Sequence, residues 1–454
     1  MKKYVILLFF CSIPFFSFSQ KKWSLEECLQ YAKENNLNVR QAYLNSERFK
    51  ESQLQAKMGV LPNINGNLSD NTNFGRNIDP VTNEITVDKI RNNNFGLSSS
   101  VTLFNGFQNI NAIRKSTYDY LASTYDAEEV ANDVSVNIVT AYLQLLYSQD
   151  LIQVSLQKVQ LSNSQVQRIT QMVDLGSLPA GDLLNTEAQK AQEELQLINA
   201  QNQHDIALLN IKQLLDLPTD QLFSIIPIKV EPPKEHHTLT NEEIFQIALK
   251  NLPQVKSAEL KLKSAQRSLA IAQGGRSPRL SLSASIGTAY SSASQKFVAY
   301  DSLSLPPTPL YEEFPFQDQL NENISQSISF NLSIPIFNGW QANSRISQAK
   351  IDVLQSQYRF QQAQNELRKT IEQAQNDALS AHKKYMASKK TVDFQQQSFQ
   401  YIQQKYDLQL ITSFDYNNAK NTLFSSETDL LQAKYDYIFK TKMLDFYMGQ
   451  PLNF

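Results

Sequence analysis

Phe337-Asn338-Gly339-Trp340 separates two stretches of different period. Before it, residues 324–337 alternate apolar and polar side chains, the period of a strand with one apolar face. After it, residues 341–406 contain neither glycine nor proline and carry apolar residues at helical spacing. The chain therefore switches here from a strand to a very long helix. The same switch occurs at Phe104-Asn105-Gly106-Phe107, so the junction is duplicated.

Working outward from the two junctions shows that a whole unit is duplicated. Glu26-Glu27 matches Glu242-Glu243 at an offset of 216, as do Asn35/Asn251, Val39/Val255, Ala42/Ala258 and Pro62/Pro278. From Phe104/Phe337 the offset is 233, and it holds through Gly106/Gly339, Leu175/Leu408, Asp182/Asp415 and Asn185/Asn418. The second copy has thus gained 17 residues between Pro278 and Phe337 and none in the matched helices. Exposed loops tolerate insertion and packed helices do not, which predicts a loop there. Each copy opens with a capping-box pattern, Ser24 to Glu27 and Thr240 to Glu243. A second helix then runs to Met58 or Gln273, ending at glycine ahead of a proline. The expected division is a signal peptide (1–19), a first repeat (20–217), a linker (218–238) and a second repeat (239–454). The first repeat holds a strand hairpin at 62–104, a long helix at 107–174 and a returning helix at 182–215. The second repeat has the same parts at 278–337, 340–408 and 415–447.

The long helices carry a countable seam. It runs through Ile113, Ser116, Tyr120, Ser123, Ala127, Val130 and Val134, then from Ile138 through Ala141, Leu145, Ser148, Ile152, Ser155, Val159, Ser162, Val166 and Ile169 to Val173. Steps of three and four alternate, with one extra four between Val134 and Ile138, and adding 233 gives the equivalent seam from Ile346 to Tyr406. A seven-residue period implies left-handed coiled packing, and the extra step unwinds it locally. At 1.5 Å per residue each helix is roughly 100 Å long.

Composition bounds the function. Lys2 and Lys3, the apolar run 5–16 and Ser17-Phe18-Ser19 form a secretory signal pattern. Beyond it Cys28 is the only cysteine, so no intrachain disulfide is expected. Without Lys2 and Lys3 there remain 40 basic and 44 acidic residues, a net of −4, which offers nucleic acid no basic patch. No later run reaches the 18 apolar residues of a membrane helix. His204 and His382 stand alone on polar helix and read as solvated. His236-His237 lacks a cysteine or an i, i+4 partner, so no metal or cofactor site is expected, and no nucleophile or phosphate-loop motif indicates an enzyme.

The strands point to a membrane. Leu280, Leu282, Ala284, Ile286 and Tyr290 share one face against Ser281, Ser283, Ser285 and Gly287, and the returning strand sets Ile328, Phe330, Leu332, Ile334 and Ile336 against serines and Asn331. In the first copy Phe95, Leu97, Val101 and Leu103 oppose Gly96, Ser98, Ser100 and Thr102. These strands have roughly the 9–11 residues that cross a bilayer, and Phe104, Phe107, Phe337 and Trp340 gather where they end, as interfacial aromatics do. Four strands cannot close a barrel, and open edges are not viable in lipid. Several chains must therefore share one barrel; twelve strands from three chains or eight from two both satisfy the periodicity.

A hairpin of membrane strands, a helix near 100 Å, a turn and a returning helix, all duplicated, resembles the TolC family of outer membrane efflux proteins. The resemblance covers essentially the whole mature chain, most specifically at the two Phe-Asn-Gly-aromatic junctions and at the tips 175–184 and 408–416. It implies an α+β membrane protein: a homotrimer with a 12-stranded barrel in outer membrane lipid, continuous with a periplasmic α-helical barrel. It also implies that the tips dock a periplasmic adaptor and, through it, an inner membrane pump of the RND or ABC kind, with no cofactor and no catalysis. Gly176 and Ser177 at one tip and Leu410 and Ile411 at the other are then the adaptor-facing residues. Gly106 and Gly339 allow the bend between barrel and tunnel. In relatives two acidic residues three apart ring the periplasmic mouth. Asp415 matches the first and Asn418 departs from the second, while Tyr406 matches a latching tyrosine whose arginine neighbour falls on Ile411. Asp182 is the first-repeat counterpart of Asp415, and both also stand where a helix begins and can cap it. The alternative from residues alone is a periplasmic coiled-coil adaptor or stalk.

Overall fold

The computed structural model describes residues 22–78, 83, 85–86, 89–218, 220–226, 231–233 and 239–452. The expected signal peptide and His236-His237 lie outside the described residues. In chain order the elements are β1 (Lys22–Trp23), α1 (Leu25–Asn35), α2 (Leu37–Met58), β2 (Asn63–Asn73), β3 (Asn77–Ile78), β4 (Ile85–Thr86) and β5 (Ile90–Phe104). Then come α3 (Gln108–Asp174), α4 (Ala180–Leu214), β6 (Ser224–Ile225), α5 (Asn241–Asn251) and α6 (Pro253–Gly274). The rest are β7 (Arg279–Ser291), β8 (Gln295–Asp301), β9 (Thr308–Glu313), α7 (Phe316–Glu322), β10 (Ser325–Ser333), α8 (Gln341–Asp407) and α9 (Ser413–Tyr447).

Two compact units result, each drawing segments from both repeats. One, Asn45–Thr124 with Ser257–Gln361, holds a four-stranded antiparallel sheet in the order β10-β7-β5-β2. Directly opposed residues share a face, so the register sorts the side chains. Ile328 lies against Ala284, Phe330 against Leu282 and Leu332 against Leu280; Leu97 lies against Ile286 and Leu68 against Phe95. The other face pairs Ser327 with Ser285, Ser329 with Ser283, Asn65 with Ser98 and Asn67 with Gly96. The apolar face is exposed along β10, where Ile328 is 75% and Phe330 69% exposed, while Phe316 of α7 packs on Phe95 and Tyr290 at one end.

Two expectations are corrected in this unit. The returning strand stops at Ser333 rather than reaching Phe337, because Pro335 has no N–H to give a ladder and holds φ near −65°. The 17-residue gain is not a plain loop. Between β7 and β10 the chain forms the β8–β9 hairpin and α7, whose buried Gln319 binds both the backbone N–H and carbonyl of Ser291.

The second unit comprises the described residues up to Leu44, Tyr125–Lys256 and those from Gln362 onward. Both short helices open with the expected capping boxes, Ser24 with Glu27 and Thr240 with Glu243. Trp23, Leu25 and Cys28 pack with Ile138, Tyr142, Leu145, Ile211 and Ile438 in its main core, each large apolar side chain worth about 1.5–3 kcal/mol of burial. The two-residue parallel pair β1–β6 is too short to leave a periodic signal, and Lys22–Trp23 is not anticipated as strand. The long helices α3 and α8 each span 67 residues without a break. None of the seam positions from Ile113 to Val173, or from Ile346 to Tyr406, is exposed.

Candidate functional site at the helix tips and strand-to-helix junctions

The α3–α4 and α8–α9 turns are built alike. Gly176 (φ +69°) and Gln409 (φ +61°) occupy equivalent places in the left-handed region. In both, the next residue's N–H closes back on the helix: Ser177 to the Met172 carbonyl at 2.8 Å, Leu410 to the Lys405 carbonyl at 2.9 Å. This ties off the last carbonyls of each long helix. The first turn uses glycine, whereas the second strains a glutamine. Gly176, Ser177 and Leu410 are exposed and Ile411 half-buried; Leu175, Leu184, Leu408 and Phe414 also face solvent.

The four expected gate residues separate into two kinds. Asp415 sits at the third position of α9 and closes a capping box: the Thr412 hydroxyl accepts its N–H at 3.2 Å and donates to its carboxylate at 2.7 Å. Asp182 holds the equivalent place on α4, but there the N-cap is Pro179 and no side chain caps the helix. Asp415 and Asn418 are exposed, and Asp182 is half-buried. Tyr406 turns inward, stacking on Tyr416 with centroids 4.5 Å apart, and Tyr416 meets Phe399 at 5.4 Å. Burial, with Tyr406 close by, pushes the Tyr416 hydroxyl up to about 12, and burial raises that of Tyr406 as well.

Tyr406 does have an arginine, from a place sequence reasoning missed. Arg168 of α3 lies 5.4 Å from the Tyr406 ring centre. It donates to the Asp407 carboxylate and, at 3.2 Å, to the Asp407 carbonyl. The pair joins residues 239 apart in sequence, so no local motif could have exposed it. Position 411 is a half-buried isoleucine packed against the cluster of Phe399, Tyr416 and Leu423.

Behind the tips lies a second missed feature. Lys420 of α9 and Glu193 of α4 form an ion pair at 2.9 Å, both side chains fully buried. Ser162 of α3 accepts from Lys420 at 2.6 Å and donates to Glu193, and Gln189 donates to the same carboxylate at 3.0 Å. Lys158 stands close by, bonded to Gln196 at 3.0 Å with Phe424 under its ammonium. Burial holds that ammonium below the usual lysine range, with Glu193 opposing the shift. A signal existed: Thr186, Glu193, Ala200 and Ala207, all buried, recur every seven residues, so a carboxylate occupies a seam position.

At the strand-to-helix junctions two successive residues take positive φ in each repeat: Gly106 (+66°) with Phe107 (+61°), and Gly339 (+60°) with Trp340 (+65°). Phe104 meets Phe107 edge-on at 5.6 Å, while Phe337 and Trp340 are exposed. Two other readings change. His204 bonds the Ser148 hydroxyl at 3.2 Å and His382 lies 5.1 Å from the Tyr437 ring, so neither is simply solvated. Among the described residues no cluster of His, Cys, Asp and Glu could hold a metal, and no helix is long and apolar enough to cross a membrane.

With this geometry in hand, similarity to known proteins is informative. The profile of the family "Outer membrane efflux protein" matches residues 28–216 and 244–450, one match in each repeat. Outer membrane protein TolC of Escherichia coli is 22% identical over 452 residues, covering 96% of this chain and 84% of that protein. The alkaline protease secretion protein AprF of Pseudomonas aeruginosa is 22% identical over 361 residues, covering 78% and 69%. Among solved structures, the outer membrane protein VceC of Vibrio cholerae superposes with a TM-score of 0.76 at 14% identity over 94% of this chain and 96% of that one. The CmeC outer membrane channel of Campylobacter jejuni gives 0.75 at 17% identity over 94% and 85%. The chain belongs to the outer membrane efflux protein family, and is an outer membrane channel protein rather than an enzyme.

Proposed function

We propose that this protein is the passive outer membrane exit duct of a tripartite efflux or type I secretion system. The observation that carries the reading is the sheet. Its apolar face is largely exposed, its other face is lined by Ser, Asn, Thr and Gly with Arg279 opposite Ser333 at one end, and both its edges, β10 and β2, are unpaired among the described residues. A lone sheet of this kind is viable neither in water nor in lipid. It is viable when several copies join their edges, with apolar side chains outward and small polar ones around an aqueous lumen. Three copies give the trimeric 12-stranded barrel that the family resemblance implies. A coiled-coil adaptor or stalk has no use for such a sheet.

In this reading the tips, with exposed Gly176, Ser177 and Leu410 and half-buried Ile411, dock a periplasmic adaptor that recruits an RND or ABC pump. Tyr406, Asp182, Asp415 and Asn418 surround the periplasmic mouth, where Asp415 keeps the first carboxylate of the relatives' acidic pair and Asn418 replaces the second by a neutral amide. Arg168 on Asp407 and Tyr406 then fastens the two long helices near that mouth. Cargo is selected by the pump, consistent with relatives as different as a protease secretion protein and a toxin and drug export protein. The purified protein should insert into planar bilayers and conduct ions, and photo-crosslinkers at Ser177 and Leu410 should capture an adaptor in cells. Absence of any conductance by a correctly folded, detergent-extracted protein overturns the duct; absence of adaptor capture overturns the docking role.

A further inference from the structure

The stretch that gained 17 residues in the second repeat carries the β8–β9 hairpin. The hairpin leaves the sheet past Ser291, at the end away from the junctions that lead into the long helices. Its register pairs Phe297 with Tyr311 and Tyr300 with Pro309 on one face, and Ala299 with Leu310 on the other. The first face is an aromatic cluster: the Phe297 ring lies 5.1 Å from that of Tyr300 and 6.1 Å from that of Tyr311. All three are exposed, as are Val298 and Leu310, and at the tip Leu305 is 97% and Leu303 93% exposed. Residues 297–311 hold a single charge, Asp301. The other charges stand at the base, where Lys296 faces Glu312 across the ladder and pairs with Glu322 of α7 at 3.4 Å, and Glu313 follows.

The tip satisfies its own polar groups. The Leu303 N–H donates to the Asp301 carboxylate, the Ser304 hydroxyl to the Asp301 carbonyl and the Thr308 N–H to the Ser304 hydroxyl, each at 2.9 Å. Pro306, Pro307 and Pro309 have no N–H to satisfy. Such self-sufficiency matters little in water, which would bond the same groups. It matters where water is missing, because each unsatisfied group then costs free energy. The distribution of apolar side chains decides what surrounds them. A groove on a protein, or a second copy of this chain, covers one face of a hairpin. Here apolar residues stand on both faces and at the tip, and an element apolar all round is stable when its whole surroundings are apolar, as for helices.

We propose that the β8–β9 hairpin is a lipid-binding finger, which lies against the outer leaflet beside the sheet and sets Leu303 and Leu305 among the acyl chains. This placement rests on the sheet lying in the outer membrane, which holds the base of the hairpin at the bilayer surface. Asp301 limits the depth. An ionised carboxylate at the bilayer centre is costly, and Leu303 is only two residues from it. The tip therefore enters the boundary between headgroups and acyl chains, about 5–10 Å deep, as interfacial helices do. Phe297, Tyr300 and Tyr311 then lie at headgroup level, where aromatic belts sit, and Lys296, Glu312 and Glu313 stay in water.

Tryptophan reporters in the full-length protein, reconstituted into phosphatidylcholine vesicles, test this. The chain has two tryptophans. Trp340→Phe, which copies Phe107 of the first repeat, leaves the buried Trp23 as a constant background. In that protein Leu305→Trp, and separately Leu303→Trp, should lose most of the added emission when the lipid chains are brominated, and little to iodide present on both sides of the bilayer. Phe330→Trp, on the apolar face of β10, should respond likewise and reports on the sheet. Ser177→Trp, at a helix tip, should respond to iodide alone. Quenching of both finger reporters by iodide alone places the hairpin in water and overturns the proposal. Quenching by neither reagent means that protein covers the hairpin, a second copy or another chain, and overturns it equally. If Phe330→Trp responds to brominated lipid and the finger reporters do not, the finger is wrong and the duct stands. If Phe330→Trp does not respond either, the sheet lies outside the bilayer and the duct falls with it.

Discussion

Removing the Lys420 ammonium while leaving Glu193 in place should be among the most damaging single changes in the helical unit. The change is Lys420→Met, which keeps a long apolar stem. Glu193 would then be a fully buried carboxylate whose remaining donors are the neutral Ser162 hydroxyl and Gln189 amide. Breaking a buried pair on one side costs about 3–5 kcal/mol. The pair itself is not a large source of stability, because desolvating two ions offsets most of their attraction. Replacing the group together (Lys420→Met, Glu193→Leu and Ser162→Ala) should therefore be neutral or stabilising by about 1–4 kcal/mol. The order of the three proteins carries the information: the single variant lowest, the combined variant equal to the parent or above it.

Guanidinium unfolding of detergent-extracted protein, followed by far-ultraviolet circular dichroism, reads that order. With a slope of roughly 6 kcal/mol per molar, 3–5 kcal/mol moves the midpoint by about 0.5–0.8 M. Midpoints are compared rather than extrapolated energies, since a chain of two units need not unfold in one step. Two results refute the reasoning. An unchanged midpoint in Lys420→Met means that water reaches Glu193. A combined variant as weak as the single one means that packing volume, not the stranded charge, sets the cost.

Three further outcomes are expected. Asp415→Ala should lower helix stability by about 0.3–1 kcal/mol through loss of the capping box and first-turn charge, whereas Asp182→Ala, on a helix without a side-chain cap, should leave stability nearly unchanged; a rise in single-channel conductance in both isolates their share in the mouth, and thermal melts report the difference. Gln409→Gly should stabilise the α8–α9 turn by up to about 1 kcal/mol, because the residue holds φ +61°; a lower melting temperature would contradict the strain. Tyr416 should ionise only near pH 12 in a spectrophotometric titration; its hydroxyl is raised above the ordinary 10, so the folded tip keeps the proton longer, and stability holds below pH 10 and falls between about 10 and 12, a window that Tyr416→Phe should narrow.

What the sequence disclosed depended on range. The helix seams were legible because a 3.5-residue period sustained over 67 residues overwhelms local exceptions, and the short helices because Ser24/Glu27 and Thr240/Glu243 are contiguous capping signals. The turn of the chain away from β10 was misplaced by four residues because alternation at Ile334 and Ile336 outweighed the missing N–H of Pro335 between them. Arg168 was invisible for a different reason. Its partner lies 239 residues away, beyond the reach of any local pattern, and the position where relatives carry the arginine is Ile411. Glu193 and Lys420 were hidden by expectation, since a charged residue on a helix that is polar overall reads as solvated until the helices packed around it are known.

The duplication separates what the fold requires from what function uses. Where two repeats hold one backbone geometry with different residues, geometry is the constraint. Gly176 and Gln409 make the same turn, so the turn is fixed by the meeting of two helices and not by glycine. Where the repeats hold the same residue in different surroundings, the surroundings carry the meaning. Asp182 and Asp415 are counterparts, yet only Asp415 has a threonine to cap with, because Thr412 is replaced by Pro179 in the first repeat. The Asp182 carboxylate is thereby freed from the helix end on the half-buried side where Tyr406 lies, and the exposed Asp415 carboxylate is held by the hydroxyl and N–H of Thr412. In the proposed duct, a mouth built from both repeats would alternate a tethered with an untethered carboxylate around its ring. On that reading Asp182, whose carboxylate does not cap its own helix, is the better place to test for a group that responds to opening.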